Sequence, residues 1–227
     1  MSIARESSPS AIAQRLDAIR ANLPPTVQLI VVTKQVGVEA VRDAYAAGMR
    51  NFAENQIQSA EAKQADLTDL TDITWHLIGH LQSNKAKKAL ELFDWIHTCD
   101  SLALAQKLDR LAGELQKSPK ICLQVKLLPD PSKFGWSEDQ LWQALDRLAQ
   151  CSHLQIQGLM TILPLGLTDA EMLHTFQRLK TLATQISNQG TFSLHHLSMG
   201  MSQDYLLAVE AGATMIRLGS IIFGDRP

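Results

Sequence analysis

The sequence predicts a single (β/α)8 barrel (TIM barrel), an α/β fold in which eight parallel strands alternate with helices. First, short apolar runs alternate with amphipathic helical patterns along the whole chain. Second, eight such runs can be counted, with no long structureless segment between them. Third, 227 residues with 45% hydrophobic side chains suit one barrel, and no linker marks a second domain. We expect one domain over 1–227, with 1–8 flexible.

The predicted strands are near-continuous apolar runs, which indicates burial on both faces of the sheet. The first covers 27–33 and is followed directly by Lys34. The other seven cover 49–53, 73–78, 95–98, 121–127, 156–162, 193–197 and 214–218.

Helical periodicity fills the intervals between these strands. Ser8 and Pro9 offer an N-cap and a first-turn proline for a helix over 11–22, before the first strand. The remaining helices are predicted over 38–47, 56–66, 85–92, 101–116, 137–150, 170–188 and 202–211. Because the sequence stops soon after the eighth strand, we expect no eighth barrel helix and no C-terminal β-domain. The extra N-terminal helix would cover that gap in the outer ring.

Charge and hydropathy argue against two classes of partner. The chain carries 21 basic and 23 acidic residues, a net charge of −2, mixed along its length. This balance gives no electrostatic footprint for nucleic acid or for an anionic membrane. No segment has the length and apolar character of a bilayer span, and the N-terminal residues form no apolar signal core.

The cysteines and histidines predict neither a disulfide nor a metal site. Cys99, Cys122 and Cys151 are scattered, odd in number and free of CxxC spacing, so we expect reduced thiols in a cytoplasmic protein. The histidines at 76 and 80 straddle a strand end and a loop, and those at 195 and 196 alternate across a strand. Neither spacing places two ligands on one face.

Lys34 is the strongest single candidate for covalent chemistry. It lies at the C-terminal end of a strand, where barrel active sites are built. A lysine beside apolar surface is disfavoured as a cation, and its neutral amine is a nucleophile that can form a Schiff base. The alternative is a lysine that extends from the strand end to solvent.

The turns after the seventh and eighth strands indicate a phosphate site. Ser198, Gly200 and Ser202 lie in the first turn, and Gly219 and Ser220 in the second. In such barrels these two loops are where phosphate usually binds, through hydroxyls and the amides of a helix start. The alternative is a pair of ordinary loops with N-capping serines. A lysine and a phosphate site together favour either pyridoxal 5′-phosphate (PLP) or a sugar phosphate in a class I aldolase.

Arg217 favours the first of these ligands. It precedes Gly219 by two residues, so strand alternation places both on the same side of the sheet. A permanently charged guanidinium near a pyridine nitrogen would keep that nitrogen unprotonated and weaken the ring as an electron sink. The alternative is an arginine paired with a carboxylate such as Glu210.

Several motifs together resemble the pyridoxal phosphate homeostasis proteins, single-domain relatives of the alanine racemase barrel. They are VVTK at 31–34, AEN at 53–55, WHLIGHLQSNK at 75–85, PSKFG at 131–135, GLM at 158–160 and the two closing turns. The chain departs from the family pattern at Ala53, where glycine is frequent, and at Lys126, where asparagine is frequent.

The resemblance implies a fold-type III barrel with PLP bound to Lys34 as a Schiff base. Its phosphate would be held by Ser198, Gly219 and Ser220, and Arg217 would face the pyridine nitrogen. The resemblance also places Asn55, Met160 and Met199 around the cofactor, although core packing explains Met160 equally well.

The implied function is a carrier or buffer of PLP in vitamin B6 and amino-acid/keto-acid homeostasis, without robust catalysis. Its partners would be PLP itself, PLP-dependent apoenzymes or a regulatory protein, and a monomer is expected. The alternatives are a racemase-like enzyme and a Schiff-base aldolase. Racemisation needs a second base, a tyrosine, and Tyr45 and Tyr205 both lie in predicted helices.

Overall fold

The computed structural model of the chain describes residues 10–130 and 133–224. Its eight parallel strands form a closed barrel in chain order, and the last strand pairs with the first. The strands are β1 Gln28–Val32, β2 Asn51–Glu54, β3 Thr74–Leu77, β4 Trp95–Cys99, β5 Lys120–Gln124, β6 Gln155–Met160, β7 His196–Ser198 and β8 Met215–Leu218. The predicted fold class is confirmed.

Helices surround the barrel. They are α1 Ala11–Arg20, α2 Val38–Ala46, α3 Ile57–Asp66, α4 Ala86–Leu92, α5 Leu102–Leu115, α6 Glu138–Ala149, α7 Asp169–Asn188, α8 Tyr205–Glu210 and α9 Ser220–Phe223. A 3-10 turn, Ser83–Lys85, leads into α4. Within the described ranges, none of these helices combines the length and the apolar character that a membrane crossing requires.

The two ends of the chain differ from the sequence prediction. The N-cap of α1 is Ser10, whose hydroxyl accepts a hydrogen bond from the Ala13 N–H at 3.2 Å. Ser8, Pro9 and the predicted flexibility of 1–8 lie outside the described residues. No eighth barrel helix was expected, and the structure has a single helical turn of four residues, α9, after β8. The predicted role of α1 stands, since it packs on α9 and Arg15 Nη1 donates to the Ile222 carbonyl at 3.0 Å.

Two other elements begin three residues later than predicted. β7 starts at His196, because the segment before it is fixed by side chains: the Leu194 N–H donates to Ser187 Oγ at 3.1 Å. α8 starts at Tyr205, because the preceding turn is closed by Asp204 Oδ1, which accepts from the Met201 N–H at 2.5 Å. Local side-chain hydrogen bonds compete with regular structure in both places.

Strand alternation divides the core into two layers. The outward side chains pack against the helices in one large apolar cluster. The inward side chains form a smaller cluster that fills the barrel: Ile30, Val32, Ala53, Trp95, Cys122, Met160 and Met215. The barrel is therefore a packed interior rather than a pore, and polar side chains that point into it must satisfy one another.

The three cysteines are free and buried. Burial raises the pKa of the Cys122 thiol to about 12, which makes it unreactive near neutral pH. Among the described residues, no group of three or more histidines, cysteines and acids is arranged to hold a metal ion.

Candidate functional site

Lys34 and Asn55 stand side by side at the mouth of the barrel. In the pairing of β1 with β2, Val32 lies opposite Ala53, and both belong to the inward-facing cluster. Lys34 and Asn55 follow these two residues by two positions, just beyond the ends of β1 and β2, so they lie at the same end of the barrel. Both are exposed. The structure therefore places the predicted nucleophile and the predicted ring neighbour at one opening.

The backbone that carries Lys34 is fixed from below by a buried ion pair. Lys63 of α3 pairs with Glu54 at the end of β2, and Glu54 is fully buried. Thr33 Oγ1 donates to Glu54 Oε1 at 2.7 Å, and Lys63 Nζ donates to the Thr33 carbonyl at 2.5 Å. Gln35, on the other side of Lys34, takes the left-handed conformation with φ +58°. Lys34 therefore sits between a clamped strand end and a tight turn.

A close backbone approach holds the ends of β2 and β3 together. A Cβ on Gly79 would lie 1.9 Å from the Asn55 carbonyl oxygen, so only glycine fits there. The Gly79 carbonyl in turn accepts from Thr98 Oγ1 at 2.7 Å. This contact fixes the loop that presents Asn55.

Arg217 enters the barrel from β8 and is only 3% exposed. Its Nη1 donates to Ser198 Oγ at 2.7 Å and its Nη2 to the Thr161 carbonyl at 2.9 Å. Burial lowers its pKa to about 10, which still leaves it protonated at neutral pH. Among the described residues the alternative pairing with Glu210 is not formed. A guanidinium has five N–H donors, and these two bonds leave others for a ligand.

Ser198 is held by two neighbouring side chains inside the barrel. It is fully buried, and its hydroxyl contacts both Arg217 and His97, whose Nδ1 lies 2.8 Å away. A hydroxyl has one proton and two lone pairs, and these two partners occupy most of that capacity. The Ser198 hydroxyl is thus already engaged by Arg217 and His97.

The two methionines lie in different layers. Met160 is fully buried in the inward-facing cluster, and β6 places it directly opposite Ser198. Met199 is also fully buried, but it belongs to the cluster between sheet and helices. The structure thus brings Met160 under the mouth and Met199 to the other face of the sheet.

The turns after β7 and β8 meet at the rim. The Arg217 N–H donates to the Gly200 carbonyl at 3.0 Å, which joins the two turns. Gly200 has φ +93°, and a Cβ there would lie 2.7 Å from the Ala208 Cβ. Gly219 is buried, whereas Ser220 is exposed at the start of α9. The first amides of a helix have no acceptor within that helix, so this turn presents N–H groups.

Sequence reasoning missed an aromatic contact on the far side of the mouth. Phe134 is 53% exposed, yet its ring stacks on His80 with centroids 3.6 Å apart and planes 11° apart. His80 Nδ1 lies 3.1 Å from Asp100 Oδ2. The sequence signal that could have indicated this contact is the apolar Phe134 in the polar loop PSKFG. Pro131 and Ser132 of that loop lie outside the described residues.

Comparison with known proteins shows which family the chain belongs to. The chain matches the family described as alanine racemase, N-terminal domain, over residues 8–227. A pyridoxal phosphate homeostasis protein of Synechocystis sp. is 52% identical over 219 residues, covering 96% of this chain and 99% of the relative. One of Vibrio alginolyticus is 39% identical over 208 residues, covering 89% of this chain and 88% of the relative.

Solved structures agree with this comparison. PipY of Synechococcus elongatus PCC7942, solved with PLP bound, is 56% identical with a TM-score of 0.91, over 94% of this chain and 100% of that chain. Its structure without PLP gives a TM-score of 0.92. Alanine racemase of Clostridium difficile 630 gives 0.77 at 15% identity, over 96% of this chain and 57% of that chain, which is a likeness of fold alone.

Proposed function

Because this chain belongs to the pyridoxal phosphate homeostasis proteins, whose barrel is that of the alanine racemase N-terminal domain, we propose that it binds PLP at the barrel mouth and acts as a PLP carrier or buffer. The proposal rests mainly on Arg217. It is a buried cation with N–H donors left for a ligand, and it lies beneath a rim that holds the exposed Lys34.

Lys34 is the residue that we propose attaches the cofactor. Its amine is exposed at the mouth, and condensation with the aldehyde of PLP forms a carbon–nitrogen bond and releases water. The clamp on Thr33 fixes the backbone of the lysine, so the amine starts from a defined position. The bond is reversible by hydrolysis, which suits a protein that must give the cofactor up again.

We propose that the turn at Gly219 and Ser220 holds the phosphate, since Ser220 is exposed at the start of α9 and the first amides of a helix have no acceptor within it. We propose that Ser198 supports Arg217 rather than the phosphate, since its hydroxyl already contacts Arg217 and His97. We also propose that Asn55, at the same end of the barrel as Lys34, contacts the ring.

Arg217 supports carriage over catalysis. PLP supplies an electron sink for carbanions when its ring nitrogen is protonated. A guanidinium donating to that nitrogen occupies its lone pair and repels a second positive charge. The geometry therefore favours a cofactor that is held and released over one that stabilises a carbanion.

The racemase alternative is less well supported. Its likeness to this chain is one of fold alone. The Tyr45 hydroxyl bonds Asp72, which precedes β3 at the opposite end of the barrel, and Tyr205 packs against the outer core. The aldolase alternative explains the lysine and phosphate site but gives Arg217 no ring nitrogen to contact. We propose a cytoplasmic monomer whose partners are PLP and proteins that take up or sense PLP.

The test is the visible absorbance of the purified protein with added PLP, followed by borohydride reduction and peptide mass spectrometry. We expect a pyridoxyl adduct on Lys34, and its loss in Lys34→Ala. Lys87→Ala, an exposed lysine of α4, is the matched control and should keep the adduct. A folded wild-type protein without chromophore or adduct would overturn the proposal and favour a sugar-phosphate ligand.

A further inference from the structure

Hydrogen bonds, buried except for the last, run from Arg217 across the barrel to its opposite end. Arg217 Nη1 donates to Ser198 Oγ at 2.7 Å, and that oxygen lies 2.8 Å from His97 Nδ1. His97 Nε2 lies 2.9 Å from His76 Nδ1, and His76 Nε2 lies 3.1 Å from Asn51 Oδ1. We call these five residues the inner chain. They come from β8, β7, β4, β3 and β2, so the inner chain forms only when the barrel is closed.

The two ends of the inner chain dictate where its protons lie. Arg217 can only donate, so Ser198 Oγ accepts from it. At the other end Asn51 Oδ1 accepts, because it also receives Gln28 Nε2 at 2.6 Å. Between these ends one arrangement with neutral rings satisfies every bond. The Ser198 hydroxyl donates to His97, His97 Nε2–H donates to His76, and His76 Nε2–H donates to Asn51.

If the hydrogen bonds were donated in the reverse direction, some groups of the inner chain would lack a hydrogen-bond partner. If His97 Nδ1–H donated to Ser198, the serine oxygen would accept twice, and its own proton would have no acceptor within the inner chain. His76 Nε2 would then face an amide oxygen with no proton between them. A bond that lacks its proton costs the desolvation of both buried groups.

Electrostatics keeps both rings neutral. Burial, with Lys120 nearby, lowers the pKa of His76 to about 3. Burial, with His76, Arg217 and His196 nearby, lowers the pKa of His97 well below its ordinary value. Asp204 acts on Arg217 in the opposite sense, by favouring its charge. The positive charge of the inner chain therefore stays on Arg217.

We propose that Ser198, His97 and His76 are positioning residues that hold the Arg217 guanidinium in one orientation and supply no proton to the ligand it faces. The far end of the chain is an amide oxygen, which has no proton to pass on. This inference rests on the proposed function, since the ligand atom facing Arg217 is taken to be the ring nitrogen of PLP.

The first test needs no cofactor. In ligand-free protein with 15N-labelled histidine, we expect His76 and His97 to be neutral Nε2–H tautomers that do not titrate between about pH 5 and about pH 8. An Nδ1–H tautomer at either position, or a titration in that interval, would overturn the inner chain as drawn. This measurement uses wild-type protein and so does not depend on any variant folding.

The second test reads the orientation of Arg217 through bound PLP. His97→Leu and Ser198→Ala remove one link each. We expect about tenfold weaker PLP binding in each, because Arg217 loses a supporting hydrogen bond directly in Ser198→Ala and loses the support of Ser198 in His97→Leu. We also expect an absorbance that becomes pH-dependent as the ring nitrogen gains a proton. His97→Gln should restore wild-type behaviour, because its amide offers an acceptor to Ser198 and a donor to His76.

His196→Gln is the matched control. His196 also lies on an inward strand position, with its ring edge-on to Trp95 at 5.0 Å, outside the inner chain. We expect its affinity and spectrum to stay as in the wild type. A wild-type protein that binds PLP while His97→Leu and Ser198→Ala bind it with unchanged spectra and affinity would overturn the positioning role alone. A wild-type protein that takes up no PLP would overturn the proposed function.

Discussion

Arg217 is a single buried residue whose position and orientation are fixed by its neighbours. Its charge is buried, its two hydrogen bonds are specified, and its strand position brings it under the mouth. Its burial costs free energy, and the acceptors around it offset part of that cost. A guanidinium held in this way presents its positive charge at a fixed position to any ligand that lies above it.

Replacing Arg217 tests that role directly. We expect Arg217→Glu to weaken PLP binding by at least about tenfold and to make the cofactor absorbance pH-dependent, because a carboxylate favours a protonated ring nitrogen. Arg217→Lys keeps the charge but not the planar fork, and its spectrum should change less. Absorbance titrations of loaded, folded protein would check this. A spectrum that is identical in Arg217→Glu and wild type would contradict the contact.

Predicted site residues divide according to strand alternation. Ser198 and Met199 are consecutive in the chain, and their side chains lie in different layers: Ser198 contacts Arg217 inside the barrel, whereas Met199 packs between sheet and helices. Lys34, Asn55 and Arg217 reach the mouth or the space beneath it because their positions follow strand ends and inward alternation. The contact between His76 and His97 was not predicted, because residue spacing along one strand does not show which side chains of another strand it meets.

At the scale of elements, α3 stabilises the site by reaching beneath two strand ends. Its Lys63 forms the buried ion pair with Glu54 and donates to the Thr33 carbonyl. Glu54 Oε2 is buried without a hydrogen-bond partner among the described residues. The pair is therefore sensitive to the loss of either member, since a remaining charge would be buried and uncompensated.

Lys63→Met is expected to lower the free energy of unfolding by about 3–5 kcal/mol, the usual cost of breaking a buried ion pair from one side. Arg110→Ala, which breaks the exposed pair of Arg110 with Glu114, should change it by less than about 1 kcal/mol. Urea unfolding of both variants is the measurement. Adding Glu54→Gln to Lys63→Met should recover part of the loss. Equal effects of Lys63→Met and Arg110→Ala would contradict the buried pair.

The elements themselves were largely predictable, since a run of apolar residues bounded by turn signals marks a buried strand. The exceptions have local causes. β7 shortens where Ser187 captures the Leu194 amide, and α9 forms from four residues too few to show a periodicity. Such contacts depend on residues brought together by the fold rather than by neighbouring sequence.

At the scale of the whole molecule, the two buried histidines link stability to pH. Their pKa values are lowered in the folded state, so the unfolded chain binds more protons as the pH falls. Their contribution is complete above the unfolded value near about 6.5 and is lost as pH falls towards about 3, where His76 titrates in the fold.

Between about pH 6 and about pH 4, His76 should lower the free energy of unfolding by about 1.4 kcal/mol for each unit by which the pH falls, and His97 should add to the loss in the same direction. Urea unfolding across that range measures the slope, and His97→Leu should remove one of the two contributions. A slope that is the same in His97→Leu and wild type would show that His97 is not held neutral in the fold.

The pairing of β8 with β1 has a consequence for how the protein comes to fold. These strands lie near opposite ends of the chain, and Ile30 is paired with Arg217. Contacts of such long sequence separation form late and slowly, because the chain must first lose the entropy of a large loop. During synthesis, Lys34 leaves the ribosome long before Arg217 does. The two parts of the proposed ligand site therefore meet only when the last strand docks, and we expect ligand uptake to begin only after the nascent barrel has closed.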